Sequence, residues 1–166
     1  MSGDATAAYQ SLNPGVKLAQ RDVYFVRGRY FVIVDRVSLD VPEPITFLFH
    51  TESEVEIGGQ TFRVSGRQAG LYGHFVFSSA GKPVLRQQQG FPDVDPAEIE
   101  GLPLQWHLTA ETPAARQHKL VTLLVPYALD QPSRVLHFID DQGFSTDLYF
   151  VDENDQEFSV VLPKDF

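Results

Sequence analysis

The residues able to do chemistry are five histidines, one tryptophan, six tyrosines and 22 carboxylates, and there is no cysteine. Metal binding and acid–base catalysis both need several such groups to converge. His50, His74, His107, His118 and His137 are spread singly, with no HxH or HExxH spacing. Each falls in or at the end of a run that reads as a strand, so structural or surface roles are expected. Asp35 closes the apolar run YFVIVD. It could serve as a ligand, but a carboxylate capping a turn is the favoured reading. The run Asp152-Glu153-Asn154-Asp155-Gln156-Glu157 has the oxygen donors of a calcium loop without its mid-loop glycine, and reads as an exposed hairpin tip. The acidic stretch around Asp93, Asp95, Glu98 and Glu100 reads the same way. There is no GxSxG and no Gly-rich phosphate loop. Trp106, with Tyr72, Tyr127 and Tyr149, offers a different chemistry, stacking on sugar rings. Against it, the alternation in LQWHLT puts Trp106 on the same face as Leu104 and Leu108, which favours core.

The elements that must hold these residues are strands from end to end. VYFV and RYFVIVD flank Arg27-Gly28, a two-residue connection with a glycine free to take positive φ. ITFLFH follows a loop bracketed by Pro42 and Pro44 and alternates Ile45, Phe47 and Phe49 against Thr46, Leu48 and His50. Gly58-Gly59 separates EVEI from QTFRV. Ser79 to Pro83 separates HFVFS from VLRQQ, and Asp140 to Gly143 separates RVLHFI from FSTDLYFV. Residues 89–103 hold three prolines and two glycines and read as one long surface loop, with at most a helical turn at PAEIE. Pro126 is expected to end KLVTLLV, since proline cannot donate to a sheet ladder. The pattern predicts an all-β chain, an antiparallel β-sandwich of about twelve strands with almost no helix. Residues 1–12 read as a lead-in whose Met1-Ser2-Gly3 start has the look of a cloning remnant. Residues 13–166 read as one sandwich domain.

Size and charge narrow the classes. A chain of 166 residues suits one domain with a sizeable core. The absence of cysteine rules out disulfides and thiolate metal sites and leaves the compartment open between cytoplasm, periplasm and secretion. No segment approaches the roughly 20 apolar residues of a membrane span, and the N-terminus lacks the pattern of a signal peptide. A net charge of -9 argues against a nucleic-acid partner. The charge is uneven. Residues 1–36 carry five basic and three acidic groups, and residues 37–166 carry eight and nineteen.

The ordered set RDVYFVRGRYFVIVDRV, then FLFH, then KLVTLLVPY resembles the C-terminal β-sandwich of heparinase II/III-like polysaccharide lyases, from about Asp4 to about Tyr127. The resemblance implies an α/α-toroid partner domain whose tyrosine and histidine perform β-elimination on a uronic acid. It also implies an HxH motif, an Asp and a His-Asn pair that carry a further catalytic histidine and a structural zinc site. All of these would lie N-terminal to Asp4, so no catalytic residue, zinc ligand or cofactor is assigned in this chain. The expected role is an accessory sandwich that supports the toroid and lines its substrate groove. Polysaccharide contact is expected from Trp106, Tyr72, Arg27, Arg29 and His50. The basic N-terminal quarter (Lys17, Arg21, Arg27, Arg29 and Arg36) is where anionic sugar or the toroid would touch. The alternatives are a free-standing carbohydrate-binding module and a structural interaction domain; an intact small enzyme is the weakest reading.

Overall fold

The computed structural model describes residues 1–26, 29–90, 94, 101 and 104–129, together with the backbone of 136–139, 147–151 and 157–161. These residues form thirteen strands and one short helix, all strand pairs antiparallel. In chain order they are β1 (Ser2–Asp4), α1 (Thr6–Gln10), β2 (Val16–Val26), β3 (Tyr30–Glu43), β4 (Thr46–Thr51), β5 (Val55–Gly58), β6 (Thr61–Ser65), β7 (Ala69–Ser78), β8 (Val84–Gln89), β9 (Trp106–Glu111), β10 (Ala115–Ala128), β11 (Leu136–Ile139), β12 (Asp147–Val151) and β13 (Glu157–Val161). A seven-stranded sheet runs β1-β2-β3-β10-β7-β6-β5. A three-stranded sheet runs β4-β9-β8, and a second runs β11-β12-β13, with β11 passing near β7.

The long strands are continuously apolar because the middle of the large sheet is buried on both faces. Along β10, Val121, Leu123 and Val125 pack on one face with Tyr30, Val32 and Val34 of β3 and Val76 of β7. Leu120 points the other way, into a second cluster with Phe62, Phe75, Phe47, Leu108 and Ala110. That second cluster is the interior of the sandwich. Its centre is a ring triad in which Phe49 of β4 meets Phe62 and Phe75 of the large sheet at centroid distances of 5.9 and 5.8 Å. Tilted and edge-on rings at this range attract beyond their buried area.

The sandwich is closed along one flank. The side-chain amide of Gln87 on β8 imitates a strand residue: its oxygen accepts from the Val55 N–H at 2.9 Å and its nitrogen donates to the Val55 carbonyl at 2.8 Å. At one end of the β3–β10 pair, buried His118 holds three segments. Its Nε2 lies 3.0 Å from the Glu43 carbonyl and 2.9 Å from that of Ala115, and its Nδ1 lies 2.9 Å from the Thr112 hydroxyl. Among the described residues no strand covers the opposite flank, at β2 and β3.

The turn expected at Gly58-Gly59 falls one residue later: Gly58 ends β5 opposite Thr61, and Gly59, at φ 65°, and Gln60 make the connection. Arg27 and Gly28, the expected two-residue connection, lie outside the described residues; on either side of them Val26 pairs with Tyr30. PAEIE, the 140–143 turn and the 152–156 tip also lie outside them. Two expectations are corrected. Pro126 does not end its strand: β10 continues to Ala128, with Pro126 opposite Leu71 of β7. β3 pairs with β10 only as far as Leu124, so beyond it β10 has one neighbour and a missing donor is tolerated. Asp35 caps no turn, because β3 runs eight residues past it.

Gly73 is there for space. It stands opposite Phe62, and a methyl group at Gly73 would overlap the Phe62 ring. Gly73→Ala should therefore destabilise the chain by about 1–3 kcal/mol, the usual cost of overpacking. In a Phe62→Leu background the same change should cost less. Urea unfolding of the four variants measures the coupling, and equal costs in both backgrounds would refute the clash.

Candidate functional site

The uncovered flank forms a cleft of about 590 Å³ between α1, the inner face of β2 and β3, and the chain from Glu43 to Leu48. Its wall at α1 is pinned by local bonds. The Asp4 carboxylate accepts from the Thr6 N–H at 2.8 Å, and its pKa is lowered first by the Thr6 side chain and second by this N–H. The Ala19 N–H donates to the Thr6 hydroxyl, and the Gln10 amide donates to the Val16 carbonyl. This leaves Tyr9 exposed at the rim of the cleft.

The floor carries a charge pair. Arg21 of β2 and Asp35 of β3 are register partners. The guanidinium donates from Nε to Oδ1 at 2.6 Å and from a terminal nitrogen to Oδ2 at 3.0 Å, a bidentate fork. Asp35 is 5% exposed, while the Arg21 side chain is nearly half exposed. Burial pushes the Asp35 carboxyl above the ordinary carboxylate value, and the hydrogen bonds and charge of Arg21 only partly oppose it. Arg21 itself is pushed up, chiefly by its bonds to Asp35. Two of its five N–H donors are used, so the others can meet a ligand. The ionisable lining of the cleft is Tyr9, Arg21, Asp35 and Glu43. A neutralised guanidinium beside a tyrosine suits a polar, hydroxyl-rich ligand better than a dense polyanion.

The basic N-terminal quarter is largely spent on acids of its own hairpin. Lys17 pairs with Asp40 at 2.9 Å, Arg21 with Asp35, and Arg36 with Asp22 on the other face, where both side chains are about one-tenth exposed. Arg29 is exposed at the hairpin tip, and Arg27 lies outside the described residues.

The residues singled out from sequence occupy separate surfaces. Trp106 is half-buried at the start of β9, facing inward with Leu108, whereas Leu104 is 55% exposed. Tyr72 packs against the cluster on the far face of the large sheet, with Arg63 5.8 Å above its ring and the His74 ring edge-on at 6.4 Å. Burial raises the Tyr72 pKa. His50 is exposed on the outer face of β4, its ring 4.5 Å from that of His107. None of these residues lines the cleft. Among the described residues no three His, Asp or Glu side chains converge, so the donor set of the zinc site is not assembled there. Sequence reasoning passed over the Arg21–Asp35 pair, although a signal existed. The two residues are each seven positions from Gly28, the glycine at which the sequence predicts a turn.

The heparinase II/III-like, C-terminal family matches residues 1–143. Among solved structures, the heparan sulfate lyase HepC from Pedobacter heparinus superposes with a TM-score of 0.68 at 15% identity, over 92% of this chain and 25% of that one. A mutant of the same lyase gives 0.67 at 16% identity, over 92% and 24%. A heparinase III gives 0.61 at 16% identity, over 86% and 23%. The chain thus spans about a quarter of the length of these lyases, and what it shares with them at such identities is the fold. No curated protein matches the sequence.

The charge pair makes a pH-dependent prediction. Arg21→Gln should cost about 1–3 kcal/mol at neutral pH, because it leaves a buried acceptor without its donor. Without the guanidinium the Asp35 carboxyl rises further. A raised folded-state pKa means that the folded chain holds the proton more tightly than the unfolded chain. Stability is then recovered as pH falls through that value and lost as pH rises through it. Urea midpoints should therefore show a deficit for Arg21→Gln that shrinks between about pH 7 and about pH 4, near the ordinary carboxylate value. An equal deficit at both would mean that ionisation of Asp35 is not the cause.

Proposed function

The chain belongs to the heparinase II/III-like C-terminal family, and from that premise we propose that it is the accessory β-sandwich of a polysaccharide lyase. Its partner would be an α/α-toroid domain, and the substrate a polysaccharide containing uronic acid. The observation that carries this reading is the family match over residues 1–143, which is to the C-terminal region of such proteins. The make-up of the cleft agrees. β-Elimination needs a base at C5, an acid at the leaving oxygen and neutralisation of the uronate carboxylate. Among the described residues lining the cleft there is no histidine, and the one guanidinium there is already paired with Asp35. Such a cleft is suited to cradling a sugar chain that another domain cuts.

A second reading rests on a different observation. Tyr9 is 57% exposed beside spare donors of Arg21, an arrangement that favours a carbohydrate-binding module able to hold glycan alone. Stacking on an exposed ring with a few oriented donors is sufficient chemistry for that.

One screen separates the readings. The purified chain is offered heparan sulfate, heparin, chondroitin, hyaluronan, alginate and a neutral glucan. Ultraviolet absorbance of unsaturated uronate reports cleavage, and calorimetry reports binding. The expected outcome is no cleavage and weak binding or none. Strong binding that falls at least tenfold in Tyr9→Ala would favour the module. Cleavage that persists through repeated purification would refute the accessory role.

A further inference from the structure

The outer face of the small sheet carries a row of side chains unrelated to the cleft. His50 of β4 stands directly opposite His107 of β9, and His107 stands opposite Gln88 of β8. Phe47, Phe49, Leu108 and Ala110 point into the core, so alternation puts His50, His107 and Gln88 together on the other face. The two imidazole rings lie 4.5 Å apart, centroid to centroid, with their planes 34° from parallel.

We propose that His50 and His107 form a chelating site for a borderline divalent transition ion (Zn²⁺, Ni²⁺ or Cu²⁺), with the Gln88 amide oxygen available as a third donor. The sheet supplies the geometry. Directly opposed residues of an antiparallel pair hold their Cβ atoms about 4.5–5.5 Å apart. Two nitrogens about 2.0–2.1 Å from one ion at a tetrahedral angle are about 3.3 Å apart, which stacked rings reach by modest side-chain rotation. Imidazole nitrogen suits these ions, whereas Ca²⁺ and Mg²⁺ require a shell of oxygen ligands, of which the row provides only the Gln88 amide. His50 is exposed and gives the ion its way in, while His107 is 9% exposed and holds its position by packing. Arg86 lies two residues from Gln88 on the same face and opposes a cation, so affinity on the order of micromolar is expected rather than tighter. The two histidines are more than fifty residues apart in sequence, so the unfolded chain does not present them together. Binding should therefore stabilise the folded chain.

The test titrates the whole chain with Cu²⁺ and follows the single Trp106, next in sequence to His107. Thermal unfolding is followed in parallel with and without Zn²⁺. The expected result is saturable one-to-one quenching and a higher melting temperature with Zn²⁺. His50→Ala and His50→Gln should each weaken Cu²⁺ binding at least tenfold and abolish the Zn²⁺ shift, while His137→Ala leaves both intact. Unfolding of the metal-free variants shows that they are folded. The proposal is overturned if the wild-type chain does not saturate, if both His50 variants bind like wild type, or if His137→Ala removes the binding.

Discussion

The structure depends on one constraint: the β3–β10 pair must be covered on both faces. Val32, Val34, Val121 and Leu123 are wholly buried on one side, and Leu120 is wholly buried on the other. Each such side chain contributes about 1.5–3 kcal/mol when removed from water. A half-wet antiparallel sheet alternates apolar and polar residues, and these two strands do not. The small sheet covers only the part of the large sheet from β10 outward to β5. Gln87 closes that side against Val55, and among the described residues no sheet lies on the inner face of β2 and the second half of β3. The cleft is what remains after the core has been satisfied.

Charge in the β2–β3 hairpin follows from the same arrangement. On the cleft side Asp35 is buried beneath a half-exposed Arg21; on the opposite side Arg36 and Asp22 are nearly buried together. A buried ion needs a partner because desolvation otherwise exceeds what the fold returns. The hairpin provides partners by register, placing acid and base across from each other or one step along. What reads in sequence as a basic quarter is in the fold mostly a set of internal pairs. Its capacity to attract a polyanion is correspondingly small, and the net charge of the chain acts in the same direction.

Much of the fold was legible because strands and turns leave local marks. Gly59, Ser79 to Pro83 and Pro113 fall between strands as their chemistry suggests, and the family was legible from an ordered set of strands. The candidate site was far less so. Turn capping by Asp35 was favoured because an acid after an apolar run has a common local explanation, whereas its true partner is fixed by hairpin register. Pro126 was assigned to a strand end on a rule that presumes two neighbours, and only the sheet order shows that β10 has one there. Trp106 illustrates a third gap. Alternation gave its inward side, but Leu104, on the same alternation, is exposed because it precedes β9. Tyr9 had no periodic signal, since α1 is only five residues long.

His118 bonds to the carbonyl of Glu43, 75 residues earlier in the chain. Comparable or longer separations run through the β3–β10 ladder, from 72 residues between Glu43 and Ala115 to 93 between Phe31 and Leu124, at the centre of the large sheet. On a ribosome, the β2–β3 hairpin would be complete long before β10 emerges, with Val32 and Val34 still unprotected. Non-local pairing of this kind closes a large loop before it is rewarded, so folding is slow and the waiting strand is open to mispairing. The order of synthesis thus puts the most apolar hairpin of the sheet first and the strand that protects it late. For this chain the hazardous interval lies in its biosynthesis, when it depends on whatever shields that hairpin until β10 arrives.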